Sequence, residues 1–107
     1  MNIIELVNIA TSKKASDIHI TVGMPPVLRI NGQLINFGEE KLRPDDTKTL
    51  VYETLNEHLI KELEENGEVD TSFSSPGIGR YRVNAYKQRG SYGMALRIIP
   101  LEIPNID

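Results

Sequence analysis

The chain has 107 residues, 39% hydrophobic and 25% charged, with a formal net charge of −3. It is long enough for one modest core and too acidic for a general nucleic-acid binder. It holds no cysteine and no tryptophan, which excludes a disulfide scaffold and a thiolate zinc site and leaves a core of Ile, Leu and Val.

At the N-terminus, Asn2 with Glu5 three residues on forms an N-cap pair for a first helix, and Ile3, Leu6, Val7 and Ala10 supply its apolar face. Lys13 and Lys14 suit its C-terminal end. This opening lacks the basic start and cleavage site of a signal peptide, and no apolar run reaches the ~20 residues of a membrane span; a cytosolic chain is expected. Ile18, Ile20 and Val22 then alternate with His19 and Thr21 as a half-buried strand, which "GMPP" interrupts. A second strand covers Val27 to Ile30, and Asn31-Gly32 turns it into "QLI", because both residues tolerate positive φ.

Pro44, Asp45 and Asp46 open a helix that the fourth-residue spacing of Val51, Leu55, Leu59 and Leu63 carries to about residue 66, where Asn66-Gly67 caps it. Glu62, Glu64 and Glu65 oppose the dipole of its last turn and read as a solvated face. Three strands follow, over 69–74, 80–87 and 93–99, joined by "SSPGIG" and "QRGS". The tail from Pro100 has no packing pattern and reads as the start of a linker over 101–107. The order defines an α+β domain over residues 1–100. Its sheet is mixed or antiparallel, with an N-terminal helix and one long helix over 44–66 packed on it.

Charge is segregated along this order. Eleven acids and four bases fall between Glu39 and Asp70, whereas Arg80 to Arg97 carries five bases and no acid. The apolar residues of the last hairpin fix its register. With Lys87 opposite Tyr92, the inward pairs are Tyr81 with Ile98, Val83 with Leu96 and Ala85 with Met94. The other face then carries Arg82 directly opposite Arg97, with Arg80 and Asn84 beside them. Like charges so placed are destabilising. Either water and carboxylates such as Asp17 or Glu68 screen them, or the pair is an anion site, since guanidinium forks match phosphate oxygens.

Catalytic and metal motifs are missing. There is no G-x-x-x-x-G-K-[ST]; Gly77-Ile78-Gly79 precedes no helix; and Gly90 to Gly93 is a hairpin loop, not an RNA-binding motif between helices. His19 and His58 share no acidic cluster, so no metal site is expected, and no serine has a base partner in view. No catalysis and no cofactor are expected of this chain alone.

Three segments carry a resemblance: "ASDIHITVGMPPVLRINGQL" from Ala15, "DTSFSSPGIGRYRVNAYKQRG" from Asp70, and "ALRIIP" from Ala95. They resemble the N-terminal domain of the type II/IV secretion and pilus-assembly ATPases, above all the pilus retraction (twitching motility) motors. The resemblance implies a PAS-like domain preceding a RecA-like ATPase domain that carries the Walker motifs and binds ATP and Mg2+. It also implies a homo-hexamer at the inner face of the cytoplasmic membrane. There this domain meets its own ATPase domain, the neighbouring subunit and, through the ring, the pilus platform protein, with no nucleic acid. Family members use N-terminal-domain arginines on nucleotide phosphates. The matching positions are Arg82 and Arg97, with Arg80 next and the loop Arg89 behind. Asp17, His19 and Arg29 match the structural or inter-subunit signature. A stand-alone PAS-like small-ligand sensor, or an adaptor whose basic hairpin docks on acidic protein or nucleic acid, is the alternative.

Overall fold

The computed structural model describes residues 2–75 and 79–100. Its elements are α1 (Ile3–Ser12), β1 (Asp17–Ile20), β2 (Val27–Ile30), β3 (Gln33–Asn36), α2 (Pro44–Thr54), α3 (Glu57–Asn66), β4 (Glu68–Ser75), β5 (Gly79–Gln88) and β6 (Ser91–Pro100). The strands form one sheet in the order β3-β2-β1-β6-β5-β4, with every neighbouring pair antiparallel. Of the two arrangements left open by the sequence, the antiparallel one is found. The expected linker over 101–107 and the turn at Pro76–Ile78 lie outside the described residues.

Alternation of side chains divides the sheet into two faces. Ile18, Ile20, Leu28, Tyr81, Val83, Ala85, Met94, Leu96 and Ile98 point inward and join Leu6, Val7, Ala10, Leu50, Val51 and Leu63 of the helices in one buried cluster. The opposite face carries exposed Arg80, Arg82 and Arg97. The register of the β5–β6 hairpin is the one the apolar residues demand, including Lys87 opposite Tyr92 and Arg82 opposite Arg97. Its loop is shorter than expected, because Gln88 still pairs with Ser91. The turn is only Arg89-Gly90, with φ of 54° and 79°. Asn31-Gly32 makes the same kind of turn, with φ of 52° and 80°, as both central residues of a type I′ turn require.

Each helix begins on a side-chain acceptor. Asn2 Oδ1 accepts from the Glu5 amide at 2.8 Å. Asp46 Oδ2 accepts from the Arg43 amide at 2.8 Å at the start of α2. The expected long helix over 44–66 is in fact two helices. Leu55 is extended, at φ −100° and ψ 146°, and Asn56 Oδ1 accepts from the Leu59 amide at 2.9 Å to start α3. An asparagine side chain competes for backbone amides and so favours caps over helix interiors. The four-residue spacing survives the break, because Leu55 stays buried while the chain changes direction. Gly67, at φ 84°, closes α3 as expected. Among the described residues no helix is long and apolar enough to cross a membrane.

The break makes a signed prediction. In a continuous helix Asn56→Ala would stabilise, whereas here it should cost about 1 kcal/mol through loss of the cap. Urea unfolding of the variant against the native chain reads the sign.

Candidate functional site

The outward face is organised in rows that cross the strands. One row runs Arg29 on β2, Asp17 on β1, Arg97 on β6, Arg82 on β5 and Ser72 on β4, each directly opposite the next. The next row runs His19, Ala95, Asn84 and Asp70. Together they border a shallow depression of about 310 Å³, lined by Asp17, His19, Asp70, Arg82, Asn84 and Arg97 around the small Ala95. On the far side of Arg82, a second hollow of about 460 Å³ is lined by Arg80, Ser72 and Ile99.

The carboxylates nearby are unequally available. Asp70 Oδ1 accepts from Asn84 Nδ2 at 2.7 Å. Asp17 is shared: its Oδ1 lies 3.7 Å from Arg97 Nε and its Oδ2 lies 3.6 Å from Arg29 Nε. Ser16 Oγ donates to the same Oδ2 at 2.7 Å. The Arg97 side chain remains 71% exposed despite this contact. Among the described residues neither Arg80 nor Arg82 has an ion pair within 4.0 Å. The face thus presents guanidinium forks turned to solvent, a donor geometry that fits a multiply charged oxyanion.

Most of the residues singled out by sequence are brought together here. Arg82 and Arg97 are neighbours, Arg80 is two residues along the same face, and Arg29, Asp17 and His19 border the same patch. Arg89 is elsewhere, at the tip of the β5–β6 turn. Of the two carboxylates considered as screens, Asp17 reaches Arg97, whereas Glu68 stands opposite Tyr86, away from the arginine row. The Asp70–Asn84 pair was not foreseen. Nothing in the sequence of β4 matches Asp70 to Asn84, a pairing that the β4–β5 register makes. Among the described residues no group of three or more His, Asp or Glu is arranged to hold a metal.

No protein-family model matches the chain. Individual proteins do. The type IV pilus retraction ATPase PilT of Pseudomonas aeruginosa is 35% identical over 96% of this chain and 30% of its own length. The type IV pilus ATPase PilU of the same organism is 36% identical over 96% of this chain and 27% of its own length. A crystal structure of the pilus retraction motor PilT with bound ADP superposes with a TM-score of 0.84 at 45% identity, covering 97% of this chain and 31% of that one. The fold is therefore that of a domain of pilus-motor ATPases. The chain belongs to the PilT-like ATPases and corresponds to their N-terminal domain. It spans about a third of the length of the relatives it matches.

A second constellation of titratable groups lies at the other end of the domain, where α2 and α3 meet the β5–β6 hairpin. Glu64 was read as part of a solvated acidic face, but its carboxylate is occupied. Oε2 accepts from Lys87 Nζ at 2.7 Å, and Oε1 accepts from the Tyr52 hydroxyl at 2.9 Å and from the Tyr92 hydroxyl. The two rings meet edge to face, 5.7 Å between centroids and 86° between planes. Lys48 and Lys87 lie over them at 5.3 to 5.9 Å. The bond from Lys87, then those from Tyr92 and Tyr52, hold the Glu64 carboxyl down at about 2. The bonds to Tyr92 and Glu64 push the Tyr52 phenol up to about 12. Burial, followed by the bond to Glu64, raises Tyr92. Burial likewise raises Tyr81, against a smaller lowering by the Thr11 hydroxyl. Glu64, Tyr52, Tyr92 and Lys87 join helices to sheet at the end of the hairpin away from the arginine row, so their role is structural.

Because the folded-state value of Glu64 lies below its ordinary 4.5, its contribution to stability is present above pH 4.5 and is lost as pH falls toward 2. Glu64→Gln should therefore be less stable than the native chain at pH 6. Its stability should fall less steeply than that of the native chain between pH 4.5 and 2, as read by urea midpoints across that range.

Proposed function

We propose that this chain is the assembly and nucleotide-sensing domain of a hexameric, twitching-motility type of pilus retraction motor, a PAS-like module at the cytoplasmic face of the inner membrane. In this reading Arg82 and Arg97, with Arg80 beside them, contact the phosphates of ATP–Mg2+ bound by a C-terminal ATPase domain. The observation that carries it is the juxtaposition of Arg82 and Arg97 on an open sheet face, with Arg82 free of any ion pair among the described residues. The ADP bound in the PilT structure supports the choice of a nucleotide as the anion.

The chemistry asked of this chain is limited. Phosphoryl transfer spreads charge over non-bridging oxygens, and fixed cationic donors near them lower the barrier without covalent steps. Adjacent antiparallel strands hold the two arginines in register before any nucleotide arrives. Closure of this domain on a nucleotide would bring them to it, so that occupancy is reported as domain position to the neighbouring subunit and, through the ring, to the pilus platform. Little autonomous affinity is expected, since both side chains are solvated and few neighbours fix them. A sensor with a ligand inside its own core is poorly supported. The space between sheet and helices is occupied by Leu6, Ile18, Val51, Leu63, Tyr81 and Leu96, all essentially inaccessible.

In the full-length ATPase, Arg82→Ala and Arg97→Ala should each lower ATP turnover by about a hundredfold, the usual loss for one preorganised donor. Circular dichroism and thermal melting should remain native-like. Unaltered turnover in both variants would remove the arginine assignment.

A further inference from the structure

We infer that Asp17 is an intramolecular counter-ion that occupies Arg97 while no phosphate is bound and yields it when phosphate arrives. The inference rests on the reading of the arginine pair as a phosphate contact. It concerns what those arginines do when that ligand is absent.

Three observations carry it. First, Arg82 stands directly opposite Arg97, an arrangement that is repulsive by itself. Asp17, on the next strand, is the one carboxylate in that row among the described residues. Second, the Asp17–Arg97 contact is long and one-sided, 3.7 Å to Nε. No hydrogen bond joins the two groups within normal limits, so the attraction is Coulombic and weak at such an exposed site. The terminal nitrogens of Arg97 are left for a ligand that can form short, paired, charge-assisted bonds. Third, Asp17 has other partners. Arg29 Nε at 3.6 Å and Ser16 Oγ at 2.7 Å lie on its other oxygen. Release of Arg97 therefore leaves no orphaned carboxylate, and the exchange of partners costs little.

The position of Asp17 gives it opposite effects on folding and on binding. It offsets repulsion between arginines in the unliganded domain and competes with any anion for one of them. A residue that only braced the strand would help both or leave binding unchanged.

The test uses the isotopically labelled chain at low ionic strength with inorganic triphosphate as the probe. The arginine Nε–H resonances are followed by NMR in the native chain, in Asp17→Asn and in Asp17→Asn/Arg97→Ala. Asp17→Asn should melt at a lower temperature yet bind triphosphate roughly two- to fivefold more tightly, the scale of one exposed ion pair. The double variant should lose the gain. In the native chain the Arg29 resonance should move as triphosphate binds, because Asp17 passes wholly to it; in Asp17→Asn it should stay. Asp17→Ser gives the same comparison if the amide disturbs β1. Equal or weaker binding by Asp17→Asn, with Arg82 and Arg97 still responding, overturns the counter-ion role and leaves the phosphate reading standing. No response of Arg82 or Arg97 in any variant up to millimolar triphosphate overturns the counter-ion role, whereas the phosphate reading stands or falls on ATP turnover of the full-length Arg82→Ala and Arg97→Ala variants.

Discussion

Pairing of β1 with β6 is the contact on which the rest depends. The two hairpins, β2–β3 with its entering strand β1 and β5–β6 with β4, are each local structures that sequence-adjacent turns define. Only the four antiparallel pairs from Asp17–Arg97 to Ile20–Met94 fuse them into one six-stranded sheet. That junction lays Ile18 and Ile20 beside Leu96 and Met94 in the core. By the same parity it lays Asp17 and His19 beside Arg97 and Ala95 on the open face. A slip of one residue there would invert every side chain of the strand and destroy the core and the charged row together.

The local part of this design was legible in the sequence and the non-local part was not. Asn31-Gly32 and the alternation of Tyr81, Val83 and Ala85 against Met94, Leu96 and Ile98 determine their own pairings, because period-two burial admits one register. The juxtaposition of Arg82 and Arg97 followed from that register alone. What joined Asp17 to Arg97 could not be read in the same way, since nothing in "DIHI" specifies which distant strand it meets. Two errors had local causes. Apolar spacing continued through Leu55 to Leu63, and the capping power of Asn56 was outweighed by that periodicity in the reading although it prevails in the fold. At the second hairpin, Arg89 is an uncommon occupant of the left-handed region, so the turn appeared longer than its two residues.

The two charged constellations illustrate how differently the same residue types are used. Around Glu64, every carboxylate oxygen has a donor, the rings are interlocked, and the pKa values are displaced accordingly. Around Arg82 and Arg97 the cations are solvated, and the one shared carboxylate is held at long range. Satisfied networks rigidify a fold. The sparsely satisfied patch is the part of the surface with bonding capacity to spare, and it holds the arginine pair proposed here to meet phosphate.

The junction of first and last strands also governs when the domain can form. β6 ends the described chain, and β1 follows the first helix, so the central seam of the sheet closes a loop of nearly the whole domain. On an elongating ribosome, β1 would leave the exit tunnel long before its partner exists, with Ile18 and Ile20 waiting uncovered. Closure of that long-range seam, more than formation of either hairpin, is then the slow step expected of the domain.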